Sequence, residues 1–358
     1  MSQSELRADE LYQDKILPLV SRTFALTIPQ LPDPLSGVVT NAYLLCRIAD
    51  AIEDEASLAT AAKTELHNRF MAVIDGEESA DRFGREAHAL LTESTIAPER
   101  DLVANTARVI HITDTFPAPQ RKALRQCINT MCRGMPEFQH ETKHHGLATL
   151  ADMERYCYTV AGVVGEMLTD LFCDYSEAIA PHHNEMWARA GSFGQGLQMV
   201  NILKDVWEDL ERGFCWLPRD VLDSVGYDLR ELSPTHNRDA FAKALRSLIG
   251  IAHGHLRTAL EYTLYVPPSE AGIRRFLLWS IGLAVLSLRK LHLNTNYVQS
   301  DQVKVSRRTV AGVVLSTRAT VKSDIALRLL FNFAARGLPY ASGQLTEDPG
   351  REPRSVRN

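Results

Sequence analysis

The sequence predicts an all-α protein, and three observations support this fold class. Apolar residues recur at three- and four-residue spacing along most of the chain, alternating strand-like patterns are scarce, and no internal repeat or Ser-rich linker divides the chain. With 358 residues, 45% of them hydrophobic, the chain can bury a large core. We therefore predict one all-α domain over residues 1–341, with its helices gathered around a single core.

The helical periodicity is interrupted by clusters of Pro and Gly, which mark turns. The periodic segments are 8–28, 36–56, 59–75, 80–97, 100–113, 117–134, 149–173, 184–211, 237–265, 269–292 and 308–334. Residues 342–358 are polar and rich in Gly, Pro and charge, so we predict a disordered tail there.

Composition argues against several classes of protein. The net charge of −5 and the pI of about 6.2 provide no basic field, so we expect no nucleic-acid partner. The six cysteines form no CxxC pair, which favours reduced thiols over a zinc site or disulfides. The longest uncharged apolar run, 276–288, has thirteen residues, whereas a membrane span needs about 20. Because the N-terminus is charged and lacks a signal-like apolar core, we expect a cytoplasmic protein that is at most peripheral to a membrane.

Two acidic motifs repeat one pattern about 155 residues apart. The first is Asp50-Ala-Ile-Glu53-Asp54, and the second is Asp205-Val-Trp-Glu208-Asp209. Positions i, i+3 and i+4 share one face of a helix, so each motif predicts a stripe of carboxylates. The stripes extend upstream through Tyr43 and Arg47 in the first helix and through Gln198 and Asn201 in the second.

A solvated acidic helix face is the ordinary interpretation of either motif alone. Its repetition, the polar or cationic residues upstream of both copies and the apolar surroundings favour a metal site instead. Mg²⁺ suits such a site, because it prefers oxygen ligands and completes its shell with water and substrate phosphate. The predicted ligands are Asp50, Glu53 and Asp54 in one cluster, and Asn201, Asp205, Glu208 and Asp209 in the other. Arg47 and Lys204 would bind the oxygens of a diphosphate, whose departure the cations would assist.

Four motifs in order resemble the squalene and phytoene synthase family, and the resemblance covers most of residues 15–300. They are Ser21-Arg22-Thr-Phe24; Tyr43-Leu-Leu-Cys-Arg47-Ile-Ala-Asp50-Ala-Ile-Glu53-Asp54; Tyr156-Cys-Tyr-Thr-Val-Ala161-Gly162-Val-Val-Gly165; and Gln198-Met-Val-Asn201-Ile-Leu-Lys204-Asp205-Val-Trp-Glu208-Asp209, followed by Arg212-Gly-Phe-Cys-Trp-Leu-Pro218. Lys204 stands where the family usually has Arg, so the charge is kept and the fork geometry is lost.

The resemblance implies an isoprenoid synthase fold, a helical bundle around one central apolar cavity. It implies a Mg²⁺-dependent farnesyl-diphosphate farnesyltransferase of the bacterial type, without a transmembrane anchor. Two farnesyl diphosphates would condense to presqualene diphosphate, and NADPH would reduce it to squalene. An apolar cavity would keep water away from the carbocations, and aromatic faces could stabilise them. Release of the product implies peripheral contact with a membrane.

The same resemblance implies roles for individual residues. Asp50, Asp54, Asp205, Asp209 and Tyr156 would be catalytic, Tyr156 by handling a proton. The substrate-binding residues would be Ser21, Arg22, Phe24, Tyr43, Arg47, Gln198, Asn201 and Lys204. On its own, a helix tyrosine is more often a core residue with a satisfied hydroxyl, and a pKa near 10 makes it a poor base. Gly162 and Gly165 are consistent with either close helix packing or room beside the substrate.

A basic segment beyond the core bears on the choice within the family. Val303-Lys-Val-Ser-Arg-Arg308 resembles a segment associated with NADPH in squalene synthases, so Lys304 and Arg307, with Arg47, are predicted to bind the cofactor. A solvated surface cluster is the alternative for such a short basic run. Together with Asn294-Thr-Asn-Tyr-Val, the segment favours squalene synthase over dehydrosqualene or phytoene synthase.

Two interpretations come from other classes. Glu137-Phe-Gln-His140 and Glu141-Thr-Lys-His144 have the ligand spacing of di-iron bundles, but they overlap in one polar stretch, whereas a di-iron site needs separate helices. A non-catalytic relative acting as an assembly factor would have lost motif carboxylates, and here all six are present.

Overall fold

The computed structural model describes residues 3–139 and 146–341, except for the side chain of Arg22. Apart from an isolated bridge between Leu147 and Pro218, this part of the chain is built from helices and turns, which confirms the all-α prediction. The α-helices are α1 (Gln3–Val20), α2 (Arg22–Thr27), α3 (Leu35–Asp54), α4 (Thr60–Ile74), α5 (Ala80–Leu90), α6 (Ala97–Ala104), α7 (Thr106–Thr113), α8 (Ala118–Phe138), α9 (Leu150–Cys157), α10 (Val163–Tyr175), α11 (His183–Glu211), α12 (Arg219–Asp223), α13 (Arg238–Leu264), α14 (Ala271–Leu293), α15 (Arg307–Thr320) and α16 (Asp324–Ala334).

Several predicted segments are divided in the structure. The segment 8–28 breaks at Ser21, whose hydroxyl accepts a hydrogen bond from the Phe24 backbone N–H at 3.0 Å and so begins α2. The segment 308–334 breaks before Ser323, which caps α16 in the same way. Ser at such positions satisfies backbone N–H groups that the first turn of a helix leaves without partners. Apolar periodicity continues across both breaks, which is why periodicity alone did not reveal them.

The helices that surround the central cavity are α2, α3, α10, α11 and α14. The longest, α11, packs against α10, α13 and α14, and a single π-helical turn, Tyr158–Gly162, joins α9 to α10. A Cβ added at Gly194 would lie 1.9 Å from the Ala161 carbonyl oxygen, and one added at Gly165 would lie 2.1 Å from the Ala190 carbonyl oxygen. Gly165 lets α10 approach the backbone of α11, and Gly194 lets α11 approach the backbone of the π-helical turn, which supports the packing explanation. Gly165 also lines the cavity, and its role in leaving room beside the substrate stays a prediction.

Two helices, α3 and α14, are long and apolar enough to cross a membrane by length and composition alone. In the structure 72% of the apolar 18-residue stretch of α3 and 61% of that of α14 are buried inside the protein, as in the core helices of soluble proteins. The predicted tail, 342–358, lies outside the described residues, as do His140, Glu141 and His144 of the two ExxH matches.

Candidate active site

A cavity of about 430 Å³ lies among α2, α3, α10, α11 and α14. It brings together all the predicted substrate-binding residues whose side chains are described: Ser21, Phe24, Tyr43, Arg47, Gln198, Asn201 and Lys204. Along α3 its lining changes from Val39 to Arg47 and Asp50, and along α11 it changes from Phe193 to Asn201 and Lys204. The cavity is therefore apolar towards the N-terminal parts of both helices and charged towards their C-terminal parts.

The first acidic stripe is organised around Arg47. Its guanidinium lies 3.5 Å from an oxygen of Asp50, 3.8 Å from one of Asp54 and 2.6 Å from one of Glu99 on α6. Burial raises the pKa of Asp50 to about 7. The charge of Arg47 opposes this shift, and the charges of Asp54 and Glu99 add to it. The cluster thus carries more negative charge than one guanidinium neutralises.

The second stripe has the same character. The Lys204 ammonium donates a hydrogen bond to Asn201 Oδ1 at 3.2 Å and lies 3.1 Å from an oxygen of Asp205, while Arg212 pairs with Asp209. Burial raises the pKa of Asp205, against the nearby charge of Lys204. Burial likewise raises the pKa of Asp209 to about 6, with Arg212 opposing the shift.

Residues of both acidic helices line the charged end of the cavity: Arg47 and Asp50 of α3, and Asn201 and Lys204 of α11. The negative charge of Asp54 on α3 contributes to the raised pKa of Asp209 on α11, together with that of Asp205. The C-terminal ends of α3 and α11 (the acidic region) therefore lie close enough for their charges to interact. That the two carboxylate clusters face each other around bound metal stays a prediction.

The third carboxylate of each motif has different surroundings from the two aspartates of the same motif. Glu53 is buried, only 4% exposed, and burial together with Asp54 and Asp50 raises its pKa. Glu208 accepts a hydrogen bond from the Ser300 backbone N–H at 2.7 Å; although burial acts to raise its pKa, the bonds to Ser300 keep it below the ordinary value. Each lies 100° around the helix from the Asp that follows it, so the two neighbouring carboxylates meet different surroundings.

The described part of the chain contains no group of three or more His, Cys, Asp or Glu side chains already gathered as a metal site. The residues nevertheless suit Mg²⁺. Burial, only partly offset by Arg47 and Arg212, raises the pKa values of Asp50 and Asp209 to about 7 and 6, and a bound divalent cation would favour their charged forms. The assignment of individual ligands remains a prediction.

Tyr156 lies beside the first acidic stripe. Its ring stacks on Trp216, with centroids 4.0 Å apart and planes 7° apart, and meets the edge of Phe138 at 5.4 Å. Burial and the charges of Glu53 and Asp54 raise its pKa well above 10, so the phenol stays protonated. Its hydroxyl makes no hydrogen bond within the described residues, unlike a core tyrosine with a satisfied hydroxyl. The nearby Tyr158 instead donates to Glu166 at 2.9 Å and lines a different, polar cavity.

The segment predicted to bind NADPH packs against the second acidic helix. Trp207 Nε1 donates to the Tyr297 carbonyl oxygen at 2.9 Å, and the Tyr297 hydroxyl donates to the Leu203 carbonyl oxygen. Lys304 pairs with Asp301 at 2.5 Å, and its charge partly opposes the burial that raises the pKa of Asp205 and contributes to the lowered pKa of Glu208. Arg307, the first residue of α15, is exposed. Lys304 is thus placed near the acidic region, and Arg307 farther along the same surface segment.

Three residues of the site escaped the sequence analysis. Glu99 anchors Arg47, Trp216 stacks on Tyr156, and Lys63, itself buried, donates to the Glu53 backbone carbonyl oxygen. Trp216 belongs to a quoted motif, which was a usable signal. Glu99 and Lys63 stand alone in amphipathic helices and share no spacing with the motifs.

Structural comparison defines the class of fold. A structure described as the complex of TcSQS with the ligand BPH1237 is similar with a TM-score of 0.73 and 20% identity, over 92% of this chain and 98% of that one. A dehydrosqualene synthase in complex with a ligand is similar with a TM-score of 0.64 and 21% identity, over 89% and 99% of the two chains. The protein has the helical isoprenoid synthase fold, as the resemblance implied.

Sequence comparison defines the family. The squalene/phytoene synthase family model matches residues 17–309, so the chain belongs to the squalene/phytoene synthase family. Squalene synthase ERG9 of Candida albicans is 26% identical over 313 residues, covering 85% of this chain. Squalene synthase ERG9 of Gibberella zeae is 30% identical over 295 residues, covering 82% of this chain. The matches span 66% and 61% of the lengths of these two relatives.

Proposed function

We propose that this protein is a squalene synthase: a transferase that condenses two farnesyl diphosphates head to head to presqualene diphosphate and reduces this intermediate with NADPH to squalene. The observation that carries the proposal is the cavity with two different ends. Its apolar part suits prenyl chains, and its charged end suits diphosphate groups. The named relatives, squalene synthases from two fungi, support the same choice.

The diphosphates would bind where the acidic stripes meet, through Mg²⁺ and the two cations that line the cavity. Asp50, Asp54, Asn201, Asp205 and Asp209 are the side chains that would hold the metal. Bound Mg²⁺ supplies Lewis-acid stabilisation of the departing diphosphate. Glu53 and Glu208 are less suited to direct ligation, because one is buried and the other is bonded to Ser300.

Arg47 and Lys204 are positioned differently for phosphate binding. Both line the cavity, Arg47 held by Glu99 and Lys204 held by Asn201 and Asp205. A guanidinium fixed on one side presents its remaining N–H groups in a set direction, whereas an ammonium acts as a point charge. We infer that Arg47 orients one diphosphate and that Lys204 mainly neutralises charge.

The protonated Tyr156 would act as a hydrogen-bond donor beside the acidic region rather than as a base in the protein without substrate. Its raised pKa excludes a phenolate in the protein without bound ions. The ring held between Trp216 and Phe138 fixes where the hydroxyl lies. Residues from the same aromatic group would also offer π-faces to a carbocation.

The NADPH-dependent step rests on Lys304 and Arg307, with Arg47 as the predicted third contact. Lys304 lies beside the second stripe, so a cofactor held there would be close to the diphosphate end of the cavity. We further infer that the enzyme works in the cytoplasm in peripheral contact with a membrane.

The test is incubation of the full chain with farnesyl diphosphate and Mg²⁺, with and without NADPH, followed by identification of the extracted products. We expect squalene with NADPH, and presqualene diphosphate or unreduced hydrocarbon without it. Excess EDTA should stop turnover. Formation of only dehydrosqualene or phytoene with NADPH present would retain the transferase and overturn the reduction. Failure to turn over any prenyl diphosphate would favour the non-catalytic alternative.

A further inference from the structure

Helix α16 is apolar on its outward face as well as on its inward face. Ile325, Leu329 and Phe333, at positions i, i+4 and i+8, are 75%, 64% and 69% exposed. On the inward face Leu327 and Phe331 are buried. Asp324, Arg328 and Asn332 form a separate polar side of the helix. Since three large apolar side chains exposed in one stripe are more than the single apolar residues scattered over an ordinary surface, the outward stripe of Ile325, Leu329 and Phe333 indicates a partner.

An apolar groove runs beside this stripe. It encloses about 260 Å³ among α14, α15 and α16, and Phe333 is both a lining residue and largely exposed. The groove and the stripe therefore form one continuous apolar surface at the C-terminal helices.

The surroundings of this surface are strongly basic in an acidic protein. Seven basic residues and one acidic residue, Asp324, lie within 304–341, whereas the whole chain has a net charge of −5. Asp324 already pairs with Arg274 at 2.8 Å. Lys322, just before α16, and Arg336, just after it, are exposed and form no ion pair within the described residues. The stripe is thus bracketed by basic side chains at both ends.

We propose that the α16 stripe docks on an anionic lipid bilayer. Ile325, Leu329 and Phe333 would enter the boundary between headgroups and acyl chains, and Lys322 and Arg336 would contact lipid phosphates. An amphipathic surface with large apolar side chains and flanking cations has the chemistry that binds such bilayers.

Two other occupants fit less well. The segment 342–358 contains only Leu345 and Val356 as large aliphatic residues, too few to cover three exposed side chains and a groove. A second copy of the chain, related by a two-fold axis, would bring the same basic face against itself, which like charges oppose. An anionic surface is complementary to both the charge and the apolar stripe.

Helix α14 places this surface one helix away from the cavity. Phe276, Ser280 and Ala284 line the cavity, whereas Leu278, Ile281 and Val285 on another face line the groove. If the product is a hydrocarbon, docking at α16 keeps its path to the bilayer short. That consequence rests on the proposed function, whereas the lipid docking deepens only the proposed peripheral membrane contact and does not depend on the proposed reaction.

The experiment is sedimentation of the full chain with vesicles of phosphatidylcholine alone or mixed with phosphatidylglycerol. We expect binding to the anionic vesicles that salt weakens. The triple variant Ile325→Ser, Leu329→Ser, Phe333→Ser should lower the partition coefficient by about tenfold or more. Lys322→Gln with Arg336→Gln should lower it on anionic vesicles only. The matched control is Leu90→Ser with Ile96→Ser, which removes two apolar side chains 46% and 51% exposed elsewhere and should bind like the wild type.

Circular dichroism and thermal unfolding check that the variants fold, and Phe333→Ser alone replaces the triple variant if the latter does not. Absence of binding to anionic vesicles, or equal loss in the control, would overturn the inference. So would light scattering that shows a dimer dissociated by the triple variant, since the face would then join two copies. Turnover of farnesyl diphosphate without vesicles is a separate readout. A chain that binds vesicles and turns over no diphosphate would retain this inference and lose the proposed function.

Discussion

Arg47 donates two hydrogen bonds to a single carboxylate oxygen of Glu99, at 3.0 Å from Nε and 2.6 Å from a terminal nitrogen. Asp50 lies 3.5 Å from the other terminal nitrogen of the guanidinium, and Asp54 lies 3.8 Å from the terminal nitrogen that also bonds Glu99. Glu99 thus competes with the two aspartates for one cation. In doing so it keeps Arg47 from closing fully onto the acidic stripe.

Glu99→Gln should therefore impair activity although Glu99 does not line the cavity. The amide keeps the shape and loses the charge, so Arg47 is expected to turn towards Asp50 and Asp54. We expect kcat/KM for farnesyl diphosphate to fall by about tenfold, mainly through KM, because a misdirected guanidinium weakens binding of the diphosphate. Both kinetic constants are obtained from the rate of diphosphate release at a series of farnesyl diphosphate concentrations.

The chain offers a closely matched control in Arg69 and Glu78. That pair has a contact of 2.5 Å and side-chain exposures of 22% and 10%, against 23% and 9% for Arg47 and Glu99. Glu78→Gln should cost similar stability and leave KM unchanged. Equal kinetic effects of the two variants would show that Glu99 has no positioning role.

Asp50→Asn should abolish diphosphate release while stabilising the protein without metal. Burial and nearby charges raise the pKa of Asp50 to about 7, so above its unfolded pKa of about 4 the carboxylate disfavours folding. At pH 8 with EDTA, this difference of about three pKa units corresponds to at most about 4 kcal/mol. Because the Asp50 side chain is 31% exposed and solvent screens its charge, we expect the neutral amide to raise the free energy of unfolding by about 1–2 kcal/mol. Urea unfolding of the wild type and of Asp50→Asn measures this difference in the free energy of unfolding.

Asp81→Asn is the control for this prediction. Asp81 is exposed and pairs only with Arg85 one turn away, so its replacement should change stability by less than about 0.5 kcal/mol. Retained turnover in Asp50→Asn, or the same variant being strongly destabilised, would contradict a ligand-binding role for this carboxylate.

The helical periodicity made the fold and the two acidic stripes predictable. Polar residues recur every four positions in both motifs, at Asp50 and Asp54 and at Asn201, Asp205 and Asp209. This spacing places them on one side of a helix whatever the helix packs against. The polar residues that line the cavity were predicted from the sequence motifs. Most of these motifs lie on helices whose observed bounds differ from the predicted ones by a few residues.

What could not be predicted depends on contacts between distant segments. Glu99 reaches Arg47 across 52 residues, and nothing near it in sequence distinguishes it from other acidic residues at the start of a helix. Whether Glu53 and Glu208 face the cavity or the packing is decided by which neighbouring helix covers that side. The break between α15 and α16, which exposes the apolar stripe, is marked only by Ser323.

Tyr156→Phe should separate packing from chemistry. The ring keeps its stack on Trp216, and the hydroxyl has no hydrogen bond within the described residues to lose, so stability should change little. If the hydroxyl handles a proton, formation of presqualene diphosphate should fall by about 10²-fold or more. The matched control is Tyr158→Phe, two residues away, which loses the bond to Glu166 and should retain condensation. Unchanged condensation in Tyr156→Phe would leave this residue only a packing role.

Replacing Lys304 and Arg307 together with Ala tests the reductive step. The 2′-phosphate of NADPH is dianionic, and each charge-assisted contact to it is worth about 1.5–3 kcal/mol, so the apparent KM for NADPH should rise by tenfold or more. Presqualene diphosphate should still form and should accumulate.

Lys243→Ala, which removes an exposed cation of α13, should leave the KM unchanged. An unaltered KM in the double variant would return Lys304 and Arg307 to a solvated surface cluster. If the wild type makes only dehydrosqualene or phytoene in the presence of NADPH, the reductive assignment is wrong, while the two acidic stripes and the cavity remain as the site of condensation.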